Sequence, residues 1–293
     1  MARKYSRQLE EKIVSCYKNG MSPYVMTETI PELNGKRPSV IYGVLKRLGV
    51  KPNKEYPRTT EQKESLRKYF LNDDFFHVID TEEKAYWLGF MYADGYITSL
   101  YNRIAITIAR SDKDHLEKFK KAVSFTGNIC DYKATGFDNN ETDCSRLIMS
   151  SDKMKSDLIK CGCVENKTFI IKFPSNDIVP DNLIWHFIRG YFDGDGSITH
   201  SHMQKNGVWA ETLKFCGTKE MLYGIQQIFG TSATLEKRHD DNKNNYGITI
   251  GGNLQVKRIL NNMYANATVY LDRKYNRYKQ FASSMANATE DHG

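Results

Sequence analysis

The chain has 293 residues, of which 40% are hydrophobic and 12% aromatic, so it can bury a sizeable core and is long enough for two domains. It has no run of 18 apolar residues and no apolar signal region near its start, which argues against a membrane protein and predicts a cytoplasmic one. Its six cysteines and seven histidines show no metal-ligand spacing, so we expect reduced thiols and structural or solvated imidazoles.

The formal net charge of +7 is carried entirely by the N-terminal end of the chain. Residues 1–60 contain 12 Lys and Arg against 5 Asp and Glu, whereas the remaining residues contain 30 of each kind. A basic excess confined to one segment is typical of a module that binds nucleic acid.

The first 50 residues predict three short helices, over residues 6–18, 22–30 and 39–48, with Gly20 and Gly49 as terminators. This pattern resembles a resolvase-like helix-turn-helix domain, whose last helix enters the major groove of DNA. A small protein-contact module is the alternative. Residues 51–58 then form a basic linker, with a connecting helix expected before residue 80. On the third helix we expect Ile41, Val44, Leu45 and Leu48 to face inward, and Ser39, Tyr42, Lys46 and Arg47 to face outward as candidate DNA contacts.

An internal repeat is the most informative feature of the remaining chain. Twice, an apolar stretch runs into an acidic residue followed by glycine, over residues 87–95 and 188–196. The two copies lie 101 residues apart, and Gly89, Asp94, Gly95, Ile97 and Thr98 of the first are identical to their counterparts in the second. A period this long predicts two pseudo-symmetric half-domains rather than a solenoid.

Each copy is predicted to be a buried helix with glycine at its centre, Gly89 or Gly190. Glycine inside a helix costs about 1 kcal/mol relative to alanine, so close packing must offset it. Four residues later each helix has another small residue, Ala93 or Gly194. Small residues at this spacing let two helix backbones approach, so we expect the two helices to pack on each other.

The carboxylates of Asp94 and Asp195 are predicted at the C-terminal ends of these helices. An anion in that position opposes the helix dipole, and a bound cation would reverse the penalty. Crossing helices would bring both carboxylates together, where they could bind divalent metal ions through oxygen. The alternative is that each Asp-Gly pair only forms a turn.

The flanking segments predict an αββαββα order in both halves. In the first half, Ile104, Ile106 and Ile108 alternate with less apolar residues, as in a half-buried strand. Ser111 is expected to cap the next helix with Asp114 as its partner. Further strands are predicted over residues 145–150, 208–216 and 246–250, and helices over 152–160, 219–229 with Thr218 as N-cap, and 254–263.

At this point the chain resembles the LAGLIDADG homing endonucleases in their single-chain form with two motif copies, over residues 81–281. The resemblance implies an α+β fold of two repeats in a saddle shape, over residues 80–180 and 181–282, with a flexible tail over 283–293. It implies that Asp94 and Asp195 bind the catalytic Mg²⁺ or Mn²⁺, with the preceding Ala93 and Gly194 as further metal ligands. Tyr92 occupies the place of Asp193, a position that is usually structural in the family.

The resemblance also implies a lysine near the end of each repeat that borders the solvent network of the active site. The best positional matches are Lys167 and Lys274, although Lys172 or Arg273 could take this role. It further implies that the sheets follow the major groove of DNA, for which the candidate contacts as a set are Arg103, Thr107, Lys133, Lys214 and Arg238.

The resulting interpretation is a monomeric enzyme that makes a metal-dependent double-strand break in a long asymmetric DNA target and belongs to a mobile genetic element. The chain lacks the terminal residues that protein splicing uses, which predicts a free-standing enzyme rather than an intein. A non-cleaving DNA-binding regulator is the main alternative, and two anions facing phosphate argue against it. RNA maturase activity is a third possibility, which a helix suited to the B-form major groove disfavours.

Overall fold

The computed structural model describes residues 5–51, 68–98, 102–135, 140–202, 209–238 and 243–290. The chain divides into two compact units, residues 1–68 and 69–293. Most of the predicted linker and connecting helix lies in residues 52–67, outside the described part. No helix among the described residues is long and apolar enough to cross a membrane.

The N-terminal unit contains the three predicted helices. They are α1 (Arg7–Lys18), α2 (Pro23–Thr29) and α3 (Ser39–Arg47), with a 3-10 turn at Pro31–Leu33. The hydroxyls of Ser6 and Ser22 accept hydrogen bonds from backbone N–H groups three residues later, which caps the first two helices.

A small apolar core holds these three helices together. Ile13, Met26, Leu33 and Ile41 have no accessible surface and come from α1, α2, the 3-10 turn and α3. Leu48 was predicted to face this core but does not, because α3 ends at Arg47 and Leu48 is 41% exposed.

The larger unit consists of two repeats with the predicted αββαββα order, followed by one long helix. The first repeat is α4 (Glu82–Ala93), β1 (Gly95–Thr98), β2 (Arg103–Ala109), α5 (Lys113–Ala122), β3 (Cys130–Thr135), β4 (Glu141–Ser150) and α6 (Asp152–Lys160). The second repeat is α7 (Ile184–Asp195), β5 (Gly196–His202), β6 (Trp209–Gly217), α8 (Lys219–Phe229), β7 (Leu235–Lys237), β8 (Tyr246–Ile250) and α9 (Asn253–Tyr264), and α10 (Asp272–Glu290) ends the described chain.

The strands form two antiparallel four-stranded sheets with the same connectivity, β1-β2-β4-β3 and β5-β6-β8-β7. The motif helices α4 and α7 lie in the shared core, and eight of the 12 residues in each are buried. One face of each sheet packs on this core, through residues such as Ile104 and Ile106 in the first sheet and Leu213 and Phe215 in the second. The predicted α+β fold with two equivalent repeats is therefore confirmed.

Four local features differ from the sequence-based expectations. Ser111 lies in a 3-10 turn, Arg110–Asp112, and α5 begins after Asp112 without a side-chain cap. The exposed strands β3 and β7 were implied by the predicted αββαββα order but not located in the sequence, because neither has a regular apolar alternation. Residues 283–290 of the expected tail are helical and continue α10, and residues 291–293 lie outside the described part.

An ion pair with a buried arginine joins the first turn of α4 to the middle of α7. Arg189 of α7 has no accessible surface and donates to the Glu82 carboxylate of α4 at 2.7 Å. Its guanidinium also donates to the carbonyls of Val269 and Met263. Because a buried charge must be paired, these contacts fix the relation between the repeats.

Candidate active site at the crossing of the motif helices

The two motif helices cross at their central glycines. A Cβ atom on Gly89 would overlap the carbonyl group of Phe187, and one on Gly190 would overlap that of Tyr86. Neither position can hold a side chain without separating the helices. This close approach explains why the sequence has glycine at both positions despite its cost in helix stability.

The crossing brings the ends of both helices together. Asp94 is the C-cap residue of α4, and Asp195 is the last residue of α7. A Cβ atom on Gly194 would overlap the Ala93 methyl group and would lie 3.2 Å from Oδ2 of Asp94. The Asp94 carboxylate thus lies against the last turn of the opposite motif helix, as the repeat predicts.

Both carboxylates are in surroundings that disfavour their charge. Burial, and next the negative charge of Asp195, raise the pKa of Asp94 to about 6. Burial also raises the pKa of Asp195, although that residue keeps more solvent contact. Nearby lysines act in the opposite direction on both groups, but burial outweighs them. The pair is therefore an anionic site without full compensation by the protein.

The two predicted lysines hold the C-terminal ends of the motif helices in place. The Lys167 ammonium donates to the carbonyls of Ala93 at 2.9 Å and Gly95 at 2.6 Å. The Lys274 ammonium donates to the carbonyls of Asp193 at 2.8 Å and Gly196 at 2.6 Å, and to that of Phe192. A cation at these unpaired carbonyls stabilises the helix end.

Lys274 is the more buried of the two lysines, with 5% of its surface exposed. Burial lowers its pKa to about 8, although Asp193 and the two motif carboxylates oppose this change. Its charge lies beside the acidic pair, but its hydrogen bonds go to the main chain. The sequence predicted that Lys274 lies near the active site, but not that its ammonium binds main-chain carbonyls.

The structure separates the predicted metal ligands into two classes. The carboxylates of Asp94 and Asp195 are available as oxygen donors, whereas the Ala93 carbonyl already accepts a hydrogen bond from Lys167. The predicted ligand Gly194 packs against Ala93 and Asp94 at the crossing. Among the described residues, no group of three or more His, Cys, Asp or Glu side chains could hold a metal ion.

A cavity of about 280 Å³ opens beside Asp94. Its lining includes Asp112, Asp193 and Arg273, and the Arg273 Nε donates to the Asp112 carboxylate at 2.9 Å. Arg273 therefore extends from the end of the second repeat to the first, and its charge opposes part of the rise in the pKa of Asp94 that burial causes. The sequence offered Arg273 only as an alternative to the lysines.

The side chain two residues before each motif carboxylate anchors its helix. Asp193 is buried, and its Oδ2 accepts hydrogen bonds from the Tyr86 hydroxyl at 2.6 Å and the Leu271 N–H at 2.7 Å. At the equivalent position, the Tyr92 hydroxyl donates to the carbonyl of Cys161. Both side chains tie a motif helix to the later part of its own repeat, which agrees with a structural role.

Strand register decides which predicted DNA contacts share a surface in the first sheet. Arg103 and Thr107 pair with Ser150 and Arg146 on the face opposite the buried isoleucines. Lys133 pairs with Asp143, whose side chain lies on the opposite face of β4 from that of Arg146. The Lys133 ammonium binds the Glu141 carboxylate at 2.7 Å. Lys133 is thus on the helix-facing side, and its grouping with Arg103 was wrong.

In the second sheet, the predicted contacts lie on the open face. Lys214 pairs with Ser197 and Thr249. Its side chain is on the face of β6 opposite to that of the buried Leu213 and Phe215. Arg238 follows β7, and its guanidinium contacts the sulfur of Cys216 at 2.7 Å on that open face.

In the N-terminal unit, the four predicted contacts on α3 are exposed, and three of them, Ser39, Tyr42 and Lys46, lie at the surface without an ion pair in the described structure. Arg47 is engaged within the unit, because its guanidinium binds the buried carboxylate of Glu10. The sequence missed this ion pair, since the two residues lie on different helices.

Comparison with family models matches residues 182–264 to the LAGLIDADG-like domain. No curated protein matches the chain. Among solved structures, the meganuclease I-SmaMI bound to uncleavable DNA is 14% identical over 68% of this chain and 88% of that one, with a TM-score of 0.46. The LAGLIDADG homing endonuclease I-GzeII in complex with its DNA target is 13% identical over 70% of this chain and 91% of that one, with a TM-score of 0.47. The LAGLIDADG homing endonuclease I-LtrWI bound to target DNA is 14% identical over 75% of this chain and 93% of that one, with a TM-score of 0.46.

The family match begins just before the second motif helix and ends with the last residue of α9. It therefore covers the whole αββαββα order of the second repeat, including Asp195. The resemblance noted in the sequence is confirmed for this segment, where residues 182–264 match the LAGLIDADG-like domain.

Proposed function

We propose that this protein is a monomeric, site-specific homing endonuclease that cuts both strands of duplex DNA by phosphodiester hydrolysis with Mg²⁺ or Mn²⁺. The observation that carries the proposal is the meeting of Asp94 and Asp195 at the ends of two tightly crossed helices. Burial that raises the pKa of both groups costs stability in the absence of a partner. A site built at such cost is typical of function rather than of a turn.

The donor set suits a hard divalent cation. Mg²⁺ is commonly held by one or two carboxylates, with water and substrate phosphate as the remaining ligands, so the two motif carboxylates suffice. When bound, the metal would activate a water molecule and neutralise charge on the reacting phosphate. Asp94 and Asp195 would hold it, while Lys167 and Lys274 keep the helix ends that carry these carboxylates in position.

The open faces of the two sheets are the proposed DNA-binding surface. They carry Arg103 and Thr107 in one repeat and Lys214 and Arg238 in the other. Because the two faces differ in sequence, a single chain would recognise a long asymmetric target, with each half placed over one strand. Lys133 is left out of this surface because of its register.

The N-terminal unit is proposed to be a helix-turn-helix domain over residues 1–50 that binds DNA next to the main site. The support is the net charge of residues 1–60 together with the exposed Tyr42 and Lys46 on α3. Residues 80–180 and 181–282 are the proposed catalytic repeats.

A selection from a randomised duplex library tests the proposed activity. The full chain is incubated with the library in Mg²⁺, and cut ends are captured and sequenced. We expect enrichment of one asymmetric site cut in both strands, and no cutting in EDTA. If the chain enriches a bound sequence that it never cuts in Mg²⁺ or Mn²⁺, the protein is a DNA-binding regulator instead.

A further inference from the structure

Glycines inside helices follow a clear rule in the larger unit. Gly89, Gly190 and Gly194 lie where the motif helices touch, and Gly224 of α8 lies under the ring of Phe173. At each position an added Cβ atom would overlap a neighbouring group. The chain thus places glycine within a helix where another part of the molecule comes too close for a side chain.

Gly43 of α3 is the exception among the helical glycines of the described residues. It lies at the middle of a nine-residue helix, and nothing comes within 4 Å of its Cβ position. Its φ is not positive, so the backbone does not require glycine. Glycine here reduces helix stability relative to alanine, and none of the described residues makes a close contact that would offset this cost.

The surface around Gly43 is the one already proposed to bind DNA. Tyr42 is its neighbour and is 46% exposed, while Ser39 and Lys46 lie one turn before and after it on the same side of the helix. The basic excess of the first 60 residues matches a polyanionic partner.

We propose that Gly43 is the point at which α3 comes closest to duplex DNA, and that its missing side chain lets the helix backbone enter the groove. This rests on the proposed DNA-binding function of the N-terminal unit. The close approach would bring Tyr42 and Lys46 within reach of base edges and phosphates. A Cβ atom at position 43 would hold the helix farther from the DNA and prevent these contacts.

Two substitutions of graded size test the proposal in the full chain. Gly43→Ala and Gly43→Leu both fill open space with better helix formers, so hydrogen-exchange protection of α3 amides should rise. Binding to a duplex selected from a randomised library with the wild-type chain in Ca²⁺ should weaken by about tenfold for alanine, and further for leucine. The control Ser15→Ala, at an exposed position of α1, should leave affinity unchanged.

Unchanged affinity of Gly43→Leu, with α3 still protected from exchange, would overturn the proposal. Lys46→Ala separates this failure from failure of the underlying function. If Lys46→Ala lowers affinity and the salt dependence while Gly43→Leu does not, the unit binds DNA without close approach at Gly43. If neither variant changes affinity, α3 does not bind DNA, and both ideas fail.

Discussion

Asp94→Asn is expected to stabilise the metal-free protein at neutral pH. The pKa of Asp94 is about 6 in the folded protein and 3.8 for an ordinary aspartate, and each pKa unit corresponds to about 1.36 kcal/mol. The folded state therefore gains stability from protonated Asp94 below pH 4 and loses it as the pH rises through about 6. At pH 7.5 the ionised group would cost about 3 kcal/mol without solvent screening, and solvent contact reduces this to about 1–2 kcal/mol.

Denaturant unfolding in EDTA measures this difference directly. All three tryptophans, Trp87, Trp185 and Trp209, lie in the larger unit, so their fluorescence follows the unfolding of that unit. The free-energy advantage of Asp94→Asn at pH 7.5 should shrink to about a third at pH 4.5, where the wild-type carboxyl is largely protonated in the folded state.

Asp80→Asn is a matched control, because the hydrogen bond from Lys84 lowers the pKa of Asp80 and its substitution should not stabilise the protein at pH 7.5. Ca²⁺ should also stabilise the wild type at pH 7.5, and it should stabilise the Asp94→Asn variant much less. An Asp94→Asn variant that is less stable than the wild type at pH 7.5, or whose advantage does not depend on pH, would refute the assigned surroundings of Asp94.

Two further substitutions test the helix crossing and the lysine contacts. Gly190→Ala places a methyl group into the Tyr86 carbonyl and should lower the free energy of unfolding by about 3 kcal/mol or more, and an unchanged value would place these glycines in open space. Lys274→Met leaves main-chain carbonyls at the end of α7 without their donor, so it should cost about 1–3 kcal/mol and slow cleavage with little loss of DNA affinity. The control Lys279→Met, at an exposed position of the same helix, should change stability by no more than about 0.5 kcal/mol, and a similar effect of both variants would contradict the structural role of Lys274.

The parts of the fold predicted from sequence are those with strong local patterns. The motif helices combine long apolar runs with central glycines, and β2 alternates isoleucine with smaller or polar residues. Such patterns follow from burial of one face or of a whole helix. Strands β3 and β7 lacked this signal because they lie at the edges of their sheets and bury little surface.

The candidate site was predicted in its acidic residues and only partly in its cations. Asp94 and Asp195 follow from the repeat itself. Lys167 and Lys274 were placed near the motif, but their bonds to main-chain carbonyls depend on how a long side chain folds back on its own repeat. Lys133 was assigned to the wrong face because a shift of one residue in strand register reverses every side chain.

Cleavage of one selected duplex by the wild type, Asp94→Asn, Asp195→Asn and the double variant tests the central claim most directly. Binding is measured in Ca²⁺ and strand-specific cutting in Mg²⁺. We predict that each single variant loses double-strand cutting, that the double variant cuts neither strand, and that all of them bind the duplex about as tightly as the wild type. A double variant that cuts at the wild-type rate would show that the paired carboxylates are not the catalytic centre.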